Sequence, residues 1–324
     1  MVLRFIVRRL LWLIPTIVLI TYFVYVAVRI GWDPVESYKR NNTRVTEKKI
    51  QQYREANFLY DGFWGFTRGY FRWLWSFVQG PDEWQRTIKG RAEVWPELRY
   101  SIFNTLRLAG TAAVIGISIG LSVGTLAARR PGGFFDTIVN FCAYFLGAIP
   151  PFVSGVVLQL VFAVQLGWLP FGGVYPPGQQ GFDFGLMIKH MILPITAVAI
   201  QTVSGYARFQ RASLMDVRSM DYVRTARAKG LGEWTILRRH GVRNAMIPMA
   251  TVIALDLGAL IGGLIITENI FNYPGTGKYF IKHTTSGDLP ALMPFLVILI
   301  VSVLIFNLLA DLSYAKLDPR IRLV

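Results

Sequence analysis

The sequence predicts an all-α polytopic membrane protein with six transmembrane helices, and three observations point to it. Hydrophobic residues make up 53% of the 324 positions and charged residues 16%, with a mean hydropathy of +0.42. A soluble domain of this length could not keep so much apolar surface dry. Apolar runs of about 20 residues, the length that crosses a bilayer core as a helix, recur along the chain. The net charge of +15 is concentrated beside those runs, where basic residues meet anionic cytoplasmic lipid. Nucleic-acid binding would fit the charge but leaves the apolar runs without a purpose.

The first span runs from Leu10 to Val28, behind Arg4, Arg8 and Arg9. It is longer than a signal-peptide core and no small-x-small cleavage site follows, so an uncleaved helix is expected. The other spans are expected at about Thr105–Ala128, Thr137–Leu166, Leu186–Ala207, Ala245–Ile266 and Ala291–Leu312. This divides the chain into an N-terminal tail and first helix (1–30), a long loop (31–104) and a five-helix core (105–324), with a basic loop at 208–244 inside the core.

Six spans place both termini on one side. The N-terminal arginines, Arg129 and Arg130, the eight basic residues from Arg211 to Arg243, and Lys316, Arg320 and Arg322 all share that side. The positive-inside rule makes it cytoplasmic. The loop 31–104 is also basic, but long translocated loops largely escape the rule. Its aromatic run Tyr70–Gly80 is too short to span and reads as a helix in the membrane interface, or as the buried face of a small external subdomain.

Gly116, Gly120 and Gly124 form a smooth face on the second span, and Gly258 and Gly262 repeat the pattern on the fifth. Small residues four apart let another helix approach closely. Pro150-Pro151 and Pro194 interrupt the third and fourth spans, either as plain kinks or where protein or water re-satisfies the freed carbonyls along a translocation path. Asp256 is the acid near the middle of a span, and Gln159, Gln165 and Gln201 are weaker polar candidates. Such residues face a cavity or a partner. Asp256, Gln159 and Gln201 are therefore candidates to line a path, with a hydrogen bond to a partner subunit as the alternative.

No catalytic constellation is present: the sequence lacks H-E-x-x-H, C-x-x-C and G-x-S-x-G, and its three histidines are scattered. The single Cys142 makes neither a disulfide nor a zinc cluster within the chain. Pro274–Tyr279 imitates a phosphate loop, but Asn272 and Tyr279 stand where that loop requires glycine and Ser or Thr. No catalytic residue, metal site or bound cofactor is expected.

Residues 221–248 form a basic helical insert broken at Gly230-Leu231-Gly232. Asp221 can cap a first helix on which Tyr222, Val223 and Ala226 share a face, with Arg224 and Arg227 near another. Trp234 and Leu237 begin a second amphipathic stretch. Such a segment either rests on anionic lipid or docks a cytoplasmic protein.

The stretch Arg224–Leu231, "RTARAKGL", resembles the cytoplasmic EAA loop of bacterial ABC importer permeases in its peptide-type form, R-T-A-x-x-x-G-L. Further segments are similar to the same family: Arg8–Val18, Ala148–Pro170, "TENIFNYPGTGKYF" (Thr267–Phe280) and "ADLSYAKLDPRIR" (Ala310–Arg322). The chain is thus identified as similar to the B-type subunit of the dipeptide/oligopeptide permease family. Residues 80–90, Asp256 and the late Pro248 depart from the family pattern.

The resemblance implies a type I ABC importer-like permease of the bacterial or archaeal cytoplasmic membrane. It would pair as a heterodimer with a second homologous permease, bind two ABC ATPase subunits that use ATP and magnesium, and receive ligand from an extracytoplasmic solute-binding protein. Asp221, Arg224, Thr225, Ala226, Arg227, Lys229, Gly230 and Leu231 would form the coupling element toward the ATPases. Peptides are the implied cargo. Nickel or an oligosaccharide on the same architecture is the alternative, and a stand-alone secondary transporter, which calls for inverted repeats, is a more remote one.

Overall fold

The computed structural model describes residues 2–42, 45–88, 91–176, 178–179 and 181–317, with the backbone alone at 2–6, 9–10, 41, 258–263 and 310–317. The described residues are helical and contain no strand. In chain order the helices are α1 (Val2–Gly31), α2 (Pro34–Asn41), α3 (Glu47–Ala56), α4 (Gly62–Gln79), α5 (Val94–Arg129), α6 (Phe134–Ala148) and α7 (Pro151–Leu158). They continue with α8 (Phe184–Arg218), α9 (Asp221–Ala228), α10 (Glu233–Ile236), α11 (Val242–Gly263), α12 (Ile265–Ile270), α13 (Thr276–Ser286) and α14 (Leu289–Leu317). Wider π-helical turns extend α7 through Gln159–Gln165 and join α10 to α11 through Leu237–Gly241.

Among the described residues, four helices are long and apolar enough to cross a membrane: Leu11–Gly31, Val94–Arg129, Phe184–Arg218 and Leu289–Leu309. A fifth span arises if α6 and the α7 segment, bent by 96° against each other, are taken as one. The second and fourth expected spans are therefore the apolar parts of helices of 36 and 35 residues, which run past the apolar stretch into polar sequence. Intrahelical hydrogen bonding propagates once nucleated and does not stop where the hydropathy does. The fifth expected span, Ala245–Ile266, overlaps α11 but runs past its end at Gly263 into α12, and Pro194 lies inside α8 without ending it. Lys316 lies where only backbone is described, and Arg320 and Arg322 lie outside the described residues.

The chain divides into two compact units. The first takes Met1–Asn104 and Pro274–Leu304, the second Thr105–Tyr273 and Ile305–Val324.

In the first unit, α4 crosses α1. Tyr25, Tyr70 and Trp73 are buried together, and the Tyr70 hydroxyl donates to the Val18 carbonyl at 2.9 Å, with Thr21 Oγ1 at 2.8 Å. Burying these large amphipathic rings is favourable only because each hydroxyl finds a partner. A second cluster gathers Val94, Leu98, Tyr279, Ala291 and Phe295. Beside it, buried His283 lies 3.4 Å from Asp288 and 3.6 Å from Glu97.

In the second unit, Gly116, Gly120 and Gly124 of α5 lie along α8. A Cβ on Gly116 would run into the Thr202 side chain, one on Gly120 would sit 2.7 Å from Tyr206 Cβ, and one on Gly124 would strike the Ala207 carbonyl. The main core of this unit gathers Leu108, Ala112, Met191, Ala197, Phe271 and Tyr273. Glu268, fully buried, accepts a hydrogen bond from Thr105 Oγ1 at 2.5 Å. A buried carboxylate needs such partners to be tolerated. Thus the Glu268 and Phe271 of the "TENIFNYPGTGKYF" segment are both interior residues.

Candidate functional site

The insert between α8 and α11 begins with α9. Asp221 is the first residue of that helix and does not cap it. Met220 holds the cap position, and its carbonyl accepts from the Val223 and Arg224 amides. Asp221 sits instead in the positive end of the helix dipole, 3.7 Å from the Arg224 guanidinium. The sequence expectation of an Asp221 cap is corrected accordingly.

α9 ends at Gly230. Its amide donates to the Arg227 carbonyl at 2.9 Å, and the Leu231 amide reaches back to the Ala226 carbonyl at 3.3 Å. This crossed pair is a Schellman closure, which requires a left-handed residue, and Gly230 supplies it with φ +77°. Gly232 has φ −65° and needs no such freedom.

Val223 and Ala226 bury one side of α9 in a cluster with Ala128, Leu214, Val217, Ile236, Leu237 and Ala245. Tyr222, expected on the same side, is 42% exposed, because its position lies about 100° round the helix from Val223. Asp221, Arg224, Thr225, Arg227, Lys229, Gly230 and Leu231 are all exposed. The structure thus gathers seven of the eight residues of the expected coupling element on open surface and turns the eighth, Ala226, inward.

A clamp missed by sequence reasoning holds this arrangement. Arg227 Nε donates to Glu233 Oε1 at 2.6 Å and Arg218 Nη2 to Glu233 Oε2 at 3.1 Å. Arg218 Nη1 also donates to the Ala128 carbonyl at 2.8 Å. The Arg129 guanidinium lies over the Trp234 ring at 5.5 Å. Hydrogen bonding from Arg227 holds the Glu233 carboxyl below the usual carboxylate range, against the opposing effect of partial desolvation. Glu233 is the one carboxylate between Asp221 and Asp256. That isolation in a basic stretch was the available signal.

The polar residues expected along a path are not brought together. Gln159 is buried and donates to the carbonyls of Phe171 and Ile270 at 2.8 and 2.9 Å. Gln201 donates to the Ile149 carbonyl at 2.7 Å and to Leu146 at 3.3 Å. It thereby satisfies the groups freed where Pro150 breaks α6 from α7. Gln165 is exposed. Asp256 is exposed and lies close to the buried Tyr206. The surroundings of Gly258 and Gly262 lie outside the described residues. Among the described residues, no group of three His, Cys, Asp or Glu is placed to hold a metal ion.

Residues 116–323 match the family model "Binding-protein-dependent transport system inner membrane component". The chain is 34% identical over 322 residues to the oligopeptide transport system permease protein AppB of Bacillus subtilis, covering 98% of each chain. It is 32% identical over 323 residues to the glutathione transport system permease protein GsiC of Escherichia coli K12, covering 99% of each. Among solved structures, the inward-facing MetNI methionine ABC transporter matches with a TM-score of 0.54 at 18% identity, over 68% of this chain and 96% of that one. An amino acid ABC transporter matches at 0.53 and 17% identity, over 68% and 94%. These two show the fold of type I ABC importer permeases. The family implies ATPase and substrate-binding protein partners, and a membrane subunit whose role is transport. The chain belongs to the binding-protein-dependent transport system inner membrane components, and among them to the dipeptide/oligopeptide ABC permeases.

Proposed function

We propose that this permease carries peptides, as the B-type partner of a second, homologous permease, and that α9 is the part its two ATPase subunits move. One observation carries the coupling role: α9 is packed on its apolar side and clamped at its C-terminal end by the Arg227–Glu233 pair, yet its polar side is open. A helix fixed in this way transmits displacement rather than absorbing it. A groove on each ATPase would receive the exposed residues from Asp221 to Leu231. ATP-driven approach of the ATPases would turn the path outward, and a solute-binding protein would deliver the cargo there. ATP and magnesium would be used by those partners and not by this chain.

Six spans with both termini cytoplasmic complete the reading, with Asp256 facing the path or the second permease. Peptide cargo is supported by the relatives named for oligopeptide and glutathione transport. Nickel or an oligosaccharide fits the same architecture.

Gly230→Val tests the coupling role. A β-branched residue is strained at φ +77°, although a side chain there meets nothing within 4 Å. Membrane insertion and subunit recovery should persist while uptake collapses and ATPase activity stops responding to loaded binding protein. Uptake equal to that of the unaltered protein would overturn the reading. Affinity purification from the native membrane, with identification of the ligand on the co-purifying binding protein, decides the cargo.

A further inference from the structure

Helix α4 has two opposed faces. Gly69, Tyr70, Trp73 and Ser76 are buried. On the other side Trp64, Phe71, Trp75 and Val78 are 80%, 55%, 66% and 70% exposed. Steps of seven, four and three residues hold these four within about 60° of one another on a helix. Gly69 permits the close crossing of α1, since a Cβ there would meet the Phe58 carbonyl and lie 2.8 Å from the Tyr25 hydroxyl.

The level of that crossing matters. α4 contacts α1 at Thr21, Tyr22 and Tyr25, inside the apolar span Leu11–Gly31. At about 1.5 Å per residue, these positions and Val18, whose carbonyl accepts from Tyr70, lie about 9–20 Å from the Gly31 end. A helix held there with an aromatic stripe facing away from its support is held at the depth of lipid.

Beside the stripe lies an open groove of about 500 Å³, lined among others by Phe58, Arg68, Phe71, Arg72, Trp75 and Glu83. Arg68 and Arg72 are gathered by one ring. Their guanidinium carbons lie 5.2 and 5.6 Å from the Tyr60 centroid, and Arg72 Nη1 donates to the Tyr60 hydroxyl. Both arginines are exposed, and neither forms an ion pair among the described residues. Two held guanidinium groups with donors to spare, above an aromatic wall, match a phosphate joined to an acyl chain.

We propose that this groove is a phospholipid site. Arg68 and Arg72 bind the headgroup phosphate, the acyl chain lies along Phe71 and Trp75, and the Trp64–Val78 stripe is immersed in the leaflet at the Gly31 end of α1. An acyl chain accounts for the stripe and the groove together, which a soluble phosphate does not. Interfacial helices combine such aromatic faces with flanking basic residues. The site concerns the attachment of the protein to its membrane and is independent of the transported solute.

Two measurements on the full chain with its co-purifying subunits in lipid nanodiscs test it. Spin labels are placed singly at F71C and W75C in a C142S background, with K49C as an exposed control. Labels at 71 and 75 should be accessible to oxygen and shielded from aqueous nickel chelate, and the control the reverse. Accessibility to nickel overturns the proposal. Shielding from both reagents also overturns it, since protein would then cover the stripe. Separately, R68Q/R72Q should bind phosphatidylglycerol about 30-fold more weakly than the unaltered chain in native mass spectrometry, from two lost charge contacts. Inorganic phosphate should not displace the lipid. Equal lipid retention in the variant, or displacement by phosphate, overturns the headgroup assignment. If the double variant fails to insert, the labels in the otherwise unaltered chain still decide the immersion.

Discussion

Glu233 receives Arg227 through both carboxylate oxygens, Nε to Oε1 at 2.6 Å and Nη2 to Oε2 at 3.3 Å. The pair closes a loop from the last turn of α9 across Gly230 to the first turn of α10. Arg218 joins from the end of α8, so one carboxylate ties three successive helices.

Glu233→Ala should loosen α9 without unfolding the chain. The carboxylate is half exposed, and exposed ion pairs contribute up to about 1 kcal/mol. Amide exchange at Arg224–Lys229 should therefore rise by up to about fivefold, and uptake should fall with it. Because its pKa is lowered in the folded state, the contribution of Glu233 is present above the usual carboxylate range and is lost as pH falls below it. Exchange in the unaltered protein should thus approach that of Glu233→Ala only below the usual carboxylate range. Unchanged exchange in the variant would remove the clamp from the account.

Gly230→Ala and Gly232→Ala form a matched pair. Both sites are open to a methyl group, but only Gly230 has a positive φ. The first should cost about 1 kcal/mol of backbone strain in the α9 closure and the second almost nothing. ATPase stimulation and uptake, measured together, should fall in the first alone.

Gln201→Leu should destabilise the bend between α6 and α7. It leaves the Ile149 carbonyl without the Gln201 amide donor and the Leu146 carbonyl with the Ile149 amide alone, at about 1 kcal/mol for a hydrogen bond lost at a part-buried site. A fall in the thermal midpoint of the detergent-solubilised protein is expected. A normal midpoint together with altered cargo selectivity would assign Gln201 to the path instead.

Gly120→Ala should force α5 from α8, because the added methyl lies 2.7 Å from Tyr206 Cβ and 3.2 Å from the Val203 carbonyl. A backbone carbonyl cannot rotate away, and overpacking costs about 1–3 kcal/mol. Gly110→Ala, which meets nothing within 4 Å, serves as its control. Equal thermal stability of the two variants would contradict the close approach.

Much of the fold was legible because bilayer-length apolar runs and local helix signals act within a few residues of sequence. The Gly230 break was legible for the same reason, since a left-handed closure is a local event. The helix limits were less so: Val94–Arg129 and Phe184–Arg218 extend beyond their apolar stretches. The offset of Asp221 by one position shows the same limit, as Met220 supplies the cap through its backbone, to which sequence patterns are blind.

The sequence by itself determined an all-helical membrane protein, the place of its basic insert and the family to which it belongs. These rest on hydropathy, periodicity and motifs, which depend on residue type and spacing. Only the tertiary structure decided which polar groups are spent internally. Gln159 and Gln201 stand in the sequence as candidates to line a path, and only the structure shows that they donate to carbonyls up to 111 positions away. Glu233 became a clamp because α8, α9 and α10 bring two arginines to one carboxylate. Hydrogen bonds and ion pairs are satisfied by proximity in space, and spacing along the chain does not encode that proximity.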